Sequence, residues 1–155
     1  MSFRIRGLDS MPFRHLYGLS DAELAKQGVK RCVAKSKPDY PDRVEMRDAE
    51  VGETMLLLNY THQPANSPYR SSHAILIREG ASEAYDAVDE IPEVFAVRTM
   101  SLRGFDENGM IVDAALASGD GIAAAIERLL AQPEIAYVHA HYALMGCFAD
   151  RVDRA

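Results

Sequence analysis

The Asn108-Gly109 pair is the feature that most restricts the fold of this 155-residue chain. Strand-like apolar residues flank it, with Phe105 before the pair and Met110 to Val112 after it. An Asn-Gly pair between such segments favours a tight β-hairpin, because a primed turn requires positive φ at both central residues. The sequence therefore predicts two antiparallel strands that meet at this pair.

Further strand and helix patterns place this hairpin in a larger α+β fold. Ser20 and Glu23 form a capping box at the start of one predicted helix, and a second helix is predicted from Asp120 to about Ala131. Alternating or continuous apolar residues predict strands at 3–8, 29–34, 54–60, 73–79, 94–105, 135–142 and 148–154. We therefore predict a single α+β domain over residues 1–155, mainly antiparallel β-sheet with two main helices.

Two segments are predicted to lack regular structure. Residues 35–53 contain two prolines and many charged residues, which predicts an irregular excursion over the surface. Residues 61–73 are predicted as a loop that leads into the next strand and carries several polar side chains. Long irregular segments in compact domains are often functional, so both are candidates for a site.

The charge balance argues against two classes of partner. The chain has 17 basic and 23 acidic residues and a formal net charge of −6, which disfavours nonspecific attraction to nucleic acid or to an anionic membrane. No apolar run approaches the roughly 18 residues of a membrane span, and the first residues lack the apolar centre of a signal peptide. We therefore predict a cytoplasmic protein that binds neither nucleic acid nor a membrane.

The two cysteines differ in their surroundings. Cys32 lies in a predicted strand, where a cysteine usually acts as a small buried apolar residue. Cys147 follows Gly146 shortly after two histidines, and a neighbouring imidazole is able to activate a thiol as a nucleophile. We therefore predict His141 and Cys147 as candidate catalytic residues, whereas a disulfide framework is not expected from two distant cysteines.

The segment 135–154 holds the densest set of reactive side chains. If residues 135–142 form a strand, His139 and His141 point to the same side, about 6.5 to 7 Å apart along the strand. A metal ion or one anionic ligand is able to bind between two imidazoles at this distance. The commoner outcome is that each ring forms a hydrogen bond to a backbone carbonyl or a carboxylate. Both alternatives stay open at the level of sequence.

Other polar residues near predicted strand ends complete the predicted pocket. Arg98 shares a strand face with apolar residues and therefore needs a partner, either a structural carboxylate or a bound anion. Arg103 points the other way and is predicted to be solvated. The predicted ligand-binding residues are His62, Tyr69, Arg70, His73, Arg98, His139 and Arg151.

Three ordered motifs resemble one bacterial protein family. They are the string 48–53 followed by MLLLNY, the string SPYRSSHAI at 67–75, and the closing string VHAHYALMGCFADRVDR. Together they are similar to the family of domain of unknown function 1203 over nearly the whole chain. The resemblance implies one small α+β domain and no established catalytic residues. Asp42 stands where such proteins often carry a cysteine after Tyr40-Pro41, which weakens the idea of a second thiol acting with Cys147.

The residues leave four functions open, of which one is our main prediction. Arginine and histidine suit the binding, and the turnover, of a small anionic metabolite, because guanidinium groups pair with carboxylates and phosphates. The alternatives are a noncatalytic homodimer that pairs through a strand edge, a thiol enzyme that uses Cys147, and a metal enzyme that uses His139 and His141 with His62 or His73. No metal-spacing or cofactor motif is present, so we predict no cofactor and no bound metal.

Overall fold

The protein contains two antiparallel β-sheets in a computed structural model that describes residues 1–155. The strands are β1 Phe3–Arg6, β2 Lys30–Val33, β3 Thr54–Gln63, β4 Ser71–Arg78, β5 Asp86–Val88, β6 Thr99–Phe105, β7 Ile111–Ser118, β8 Tyr137–Tyr142 and β9 Phe148–Arg154. Six strands form one sheet in the order β5-β1-β9-β8-β6-β7, and the other sheet has the order β2-β3-β4. This confirms the α+β class with mainly antiparallel strands, although the strands divide between two sheets.

The helices are few and short. They are α1 Asp21–Lys26, α2 Glu93–Ala96, α3 Gly121–Leu130 and a 3-10 helix at Met11–Leu16. The capping box at the start of α1 is confirmed, because the Glu23 amide donates to the Ser20 hydroxyl and the Glu23 carboxylate accepts from the Ser20 amide. The two main predicted helices correspond to α1 and α3. None of the helices is long and apolar enough to cross a membrane.

The apolar residues form two main buried clusters, one for each sheet. The larger cluster packs Ile126 of α3 against one face of the six-stranded sheet, where Leu102 and Val138 lie. The second cluster packs Phe13 of the 3-10 helix and Leu24 of α1 against the three-stranded sheet. Because strand residues alternate in direction, the other face of the six-stranded sheet is left for contact with the smaller sheet and for polar side chains.

The segment 35–53 is irregular, as predicted, but its placement on the surface is wrong. Asp42, Arg43, Val44, Met46 and Asp48 are all buried. Sequence reasoning placed this segment outside because charged residues rarely enter a core without partners. The structure supplies those partners from distant parts of the chain.

The buried charges of this segment are held by specific contacts. The Arg43 guanidinium donates to the backbone carbonyl of Phe148 over 2.9 Å, and Asp48, which is 0% exposed, pairs with Arg98 over 2.6 Å. The Asp42 carboxylate accepts from the backbone amide of Arg78 over 2.7 Å. The segment therefore contacts strands of both sheets, β4 through Asp42 and β9 through Arg43.

Two predicted element boundaries are wrong, and both errors affect the site. Residues 94–98 are not strand, because Pro92 begins the short helix α2 and Val94 is buried within it, so that β6 starts only at Thr99. His62 is not in a loop, because β3 continues to Gln63 and pairs again with β4 after a register shift. His62 is therefore fixed on a strand.

The predicted hairpin is present but its turn differs from the prediction. β6 and β7 pair antiparallel on either side of Asn108-Gly109. Gly109 has a φ of 76°, whereas Asn108 has no positive φ. The Asp106 carboxylate accepts hydrogen bonds from the backbone amides of Asn108 and Met110, so a longer loop replaces the two-residue turn.

Leu102→Ala tests the packing of α3 on the six-stranded sheet. Leu102 is fully buried in the larger cluster, so we expect the free energy of unfolding to fall by about 2 to 5 kcal/mol, since truncation removes apolar contacts and leaves a cavity. Leu144→Ala is the matched control, because Leu144 is 94% exposed and the change should stay within about 0.5 kcal/mol. Urea denaturation of both variants measures this, and equal losses would contradict the assigned core.

Candidate functional site

A row of three polar side chains crosses the six-stranded sheet on the face opposite α3. Arg103 on β6 lies directly opposite His139 on β8, which lies directly opposite Arg151 on β9. Residues directly opposite each other on neighbouring strands point to the same side, so the three side chains share one face. We refer to them as the Arg103–His139–Arg151 row.

A second row lies beside the first on the same face. His141 lies opposite Ser101 on β6 and opposite Phe148 on β9. The register between β8 and β9 shifts at this point, so Phe148 and Arg151 share a face although they are three positions apart. This shift places the Phe148 ring next to both strand histidines.

The third histidine of the site comes from the other sheet. The His62 ring on β3 stacks on Phe148, with ring centroids 5.1 Å apart and an interplanar angle of 6°. Its centroid lies 4.9 Å from that of His141 and 6.2 Å from that of His139. The structure therefore brings together three of the predicted site residues from two sheets.

The three histidines are held in the neutral form. Burial lowers the pKa of His62 to about 4, that of His139 to about 3 and that of His141 to about 4, and the nearby Arg103 charge acts in the same direction. His141 Nδ1 lies 2.9 Å from the Gly146 carbonyl, which only accepts, so Nδ1 carries the proton. The Nε2 atom of His141 therefore carries a lone pair.

Two of these rings contain nitrogens without a partner in the protein. The Nδ1 atoms of His62 and His139 are buried and accept or donate no hydrogen bond, although most buried polar atoms in proteins are paired. His62 Nε2 lies 3.3 Å from the Ser71 hydroxyl. One nitrogen from each of the three rings lies within 4.8 Å of the others, so these residues are the ones able to hold a metal ion.

Arg103 differs from the other partly buried arginines because it forms no ion pair with a carboxylate. Its Nε donates only a long hydrogen bond of 3.3 Å to the Ser101 hydroxyl, and burial lowers its pKa from the ordinary value. Arg98 is the opposite case, since both of its terminal nitrogens bond to Asp48. The sequence predicts a solvated Arg103, because its neighbour His139 on β8 is 36 positions away. The strand order that makes them neighbours is not readable from the sequence.

A cavity of about 370 Å³ opens beside the histidines. It is lined by His62, His139 and Arg151 together with the polar residues Tyr60, Gln63 and Tyr137. The Arg151 guanidinium lies 4.1 Å above the Tyr137 ring and also pairs with the exposed Asp153. A cavity of this volume and lining is at the small end of ligand sites in proteins.

A second cavity, of about 840 Å³, contains another part of the predicted set. His73, Arg98 and Cys147 line it. The predicted residues therefore do not share one cavity, and His141 lines neither of the two. The catalytic roles of His141 and Cys147 stay predictions, with Cys147 outside the three-histidine cluster.

Tyr69 and Arg70 line neither cavity. Tyr69 is 40% exposed, and an Arg70 terminal nitrogen donates to the carbonyl of Pro64 at the tip of the β3–β4 connection. The sequence analysis also does not select Tyr60, which lies within β3, or Tyr137, which begins β8, although both line the smaller cavity. Their inclusion depends on how the two sheets pack, which no local pattern indicates.

Comparison with known proteins gives one match. A family model described as "Protein of unknown function (DUF1203)" matches residues 39–154, which is most of the chain. The matched range contains β3, β6, β8 and β9 and therefore every strand that contributes to the site. No curated protein and no solved structure matches the chain.

His139→Asn tests the neutral state of the cluster in metal-free protein. Below about pH 6.5 the unfolded chain takes up a proton that folded His139 refuses until about pH 3. The free energy of unfolding of the unsubstituted protein therefore falls as the pH drops from 7.5 to 5. In His139→Asn we expect this fall to be smaller, and the difference between the two falls to be about 1 to 2 kcal/mol.

Urea denaturation at the two pH values measures this difference. Groups such as Asp150, whose pKa is raised by burial, titrate in both proteins and cancel in the comparison. Equal falls in the two proteins would show that His139 does not resist protonation in the folded state.

Proposed function

Because the chain belongs to the family of proteins of unknown function DUF1203, we propose its function from geometry: it binds a small anionic metabolite at the Arg103–His139–Arg151 row. The observation that carries this proposal is the half-buried Arg103 guanidinium, which forms no ion pair. A charge that is partly removed from water without a counter-ion is costly, and a bound anion offsets that cost.

The other shielded arginines support the contrast. Arg31, Arg47, Arg78 and Arg98 each pair with at least one carboxylate. Arg43, which is fully buried, donates to two backbone carbonyls instead. Arg103 has neither arrangement, and its cross-strand partner His139 lines a ligand-sized cavity, so an external anion is the partner that its position favours.

The surroundings favour a carboxylate or a phosphate. The planar guanidinium of Arg103 matches the two oxygens of such groups, and the neutral ring of His139 beside it has an N–H group to donate. The aromatic rings of Tyr60 and Tyr137 offer apolar surface for the rest of a small ligand. A cytoplasmic location belongs to the proposal and is supported by two free cysteines, Cys32 and Cys147.

Turnover of the ligand, as an extension of binding, would use His141 as the proton acceptor. Its Nδ1 proton is fixed by the Gly146 carbonyl, which leaves Nε2 as the basic atom. Its pKa of about 4 keeps the ring unprotonated at neutral pH, so it is always ready to accept a proton but is a weak base. A substrate with an already acidic proton suits such a group.

A noncatalytic homodimer is the second candidate, and β7 is the observation in its favour. β7 is an eight-residue strand at one edge of the six-stranded sheet. Its side chains Val112 and Leu116 are 41% and 72% exposed. A long edge strand with exposed apolar side chains is suited to pairing with a second copy of the chain.

Arg103→Met tests anion binding. We expect its affinity for inorganic phosphate and for oxalate, measured by isothermal titration calorimetry at low ionic strength, to fall at least tenfold, because a charge-assisted hydrogen bond contributes roughly 1.5 to 3 kcal/mol. Arg103→Lys should show an intermediate loss. The control is Arg128→Met, which removes an exposed arginine of α3 that pairs with Asp113 on the opposite face of the sheet from the row. Binding that survives Arg103→Met, or that falls equally in the control, would contradict the proposal.

Leu116→Lys tests the homodimer. If β7 pairs with a second copy, a lysine at this edge position should shift the protein from dimer to monomer, because edge lysines oppose strand addition. Light scattering after size exclusion gives the mass directly. A monomer in the unsubstituted protein at about 100 μM, a concentration at which weak homodimers still form, would reject this candidate.

A further inference from the structure

The histidine cluster has properties that anion binding does not require. One nitrogen from each of His62, His139 and His141 lies within 4.8 Å of the others. His139 is 4% exposed and His62 is 9% exposed, and each has a buried Nδ1 atom without a partner in the protein. Three uncharged imidazoles with free nitrogens in one small volume form a ligand set for a metal ion.

We propose that His62, His139 and His141 form a centre for one divalent transition-metal ion, zinc in preference, with a fourth position open to water or an anion. This goes beyond the proposed function, because it needs no anion. No carboxylate belongs to the cluster, which disfavours magnesium and calcium, since these ions take oxygen ligands. Imidazole ligands suit zinc, and three protein ligands with an open position are typical of catalytic zinc sites.

The three nitrogens lie farther apart than the ligand nitrogens around a bound zinc ion, but small movements of the rings close the difference. Zinc–nitrogen bonds of about 2.0 to 2.1 Å in a tetrahedron place ligand nitrogens about 3.3 Å apart. The three nitrogens lie within 4.8 Å of one another, so each pair must close by at most about 1.5 Å, shared between two rings. Rotation about the broad outer torsion of histidine provides such movements at little cost.

The remaining nitrogens of two rings have the partners that metal ligands usually have. His141 Nδ1 donates to the Gly146 carbonyl, and His62 Nε2 lies 3.3 Å from the Ser71 hydroxyl. In metal sites the nitrogen that does not bind the metal normally donates to such a group, which fixes the tautomer and the ring orientation. His141 Nε2 and His62 Nδ1 are then the atoms left for the ion.

The positive charge of Arg103 opposes metal binding at the cluster. It acts electrostatically on all three histidines and therefore disfavours a dication among them. Removal of this charge should strengthen zinc binding, whereas it should weaken phosphate binding. Because the proposed anion site lies beside the cluster, a bound anion and a bound zinc ion should each increase the affinity for the other.

Calorimetric titration of chelator-treated protein with Zn²⁺ alone tests the centre. We expect one ion per chain and a loss of affinity of at least 100-fold in His141→Asn, since one of three ligands is removed. His15→Asn is the matched control, because His15 lies on the 3-10 helix outside the cluster and its Nε2 atom bonds to Gln27. No saturable Zn²⁺ binding, or equal affinity in both variants and the unsubstituted protein, would overturn the proposal.

A measurement on the unsubstituted protein avoids variants that fold poorly. Co²⁺ should produce the intense visible absorption of a four-coordinate ion and broaden the ring NMR signals of His62, His139 and His141 but not those of His15. Broadening confined to His15 or spread over all five histidines would overturn the centre.

Arg103→Met separates this inference from the proposed function. Weaker phosphate binding together with tighter Zn²⁺ binding supports both. Phosphate binding without Zn²⁺ binding in the unsubstituted protein rejects only the metal centre. Zn²⁺ binding without phosphate binding rejects only the anion site.

Discussion

The contact between the two sheets at Phe148 is the constraint on which the site depends. The His62 ring of the three-stranded sheet stacks on the Phe148 ring of the six-stranded sheet. The carbonyl of the same residue accepts a hydrogen bond from the buried Arg43. Phe148 is thus held through both its ring and its backbone. Because His62 stacks on this ring, it lies beside His139 and His141. Without this contact the strand histidines would be two partly solvated rings on an open sheet.

Polar groups without partners in the protein lie close together in the histidine cluster, where they contribute little to the stability of the fold. Three neutral imidazoles and the Arg103 guanidinium lie together with no carboxylate among them, although the chain has more acidic than basic residues. The other shielded arginines have partners in the protein: Arg98 pairs with Asp48, and Arg43 donates to two backbone carbonyls. Two of the four buried side-chain atoms without a partner, the Nδ1 atoms of His62 and His139, belong to this cluster. Ionisable groups with shifted pKa values that lie together are typical of binding and catalytic sites.

Local patterns predicted the parts of this fold that local interactions determine. The capping box at Ser20 and the shared face of His139 and His141 follow from neighbours within four residues, and both are present. The position of His62 and that of Arg103 depend on sheet packing and on the pairing of β6 with β8, which join residues far apart in the chain. The buried path of residues 35–53 also depends on distant partners, so its charges suggested a surface segment.

Nuclear magnetic resonance of the histidine rings in metal-free protein at pH 6 tests the central claim most directly. The account predicts neutral nitrogen shifts for His62, His139 and His141, with the proton of His141 on Nδ1. It also predicts nuclear Overhauser contacts from the ring of His62 to that of His141, since their centroids lie 4.9 Å apart. Charged rings at this pH, or no contact between His62 and the β8 histidines, would contradict the convergence of these residues.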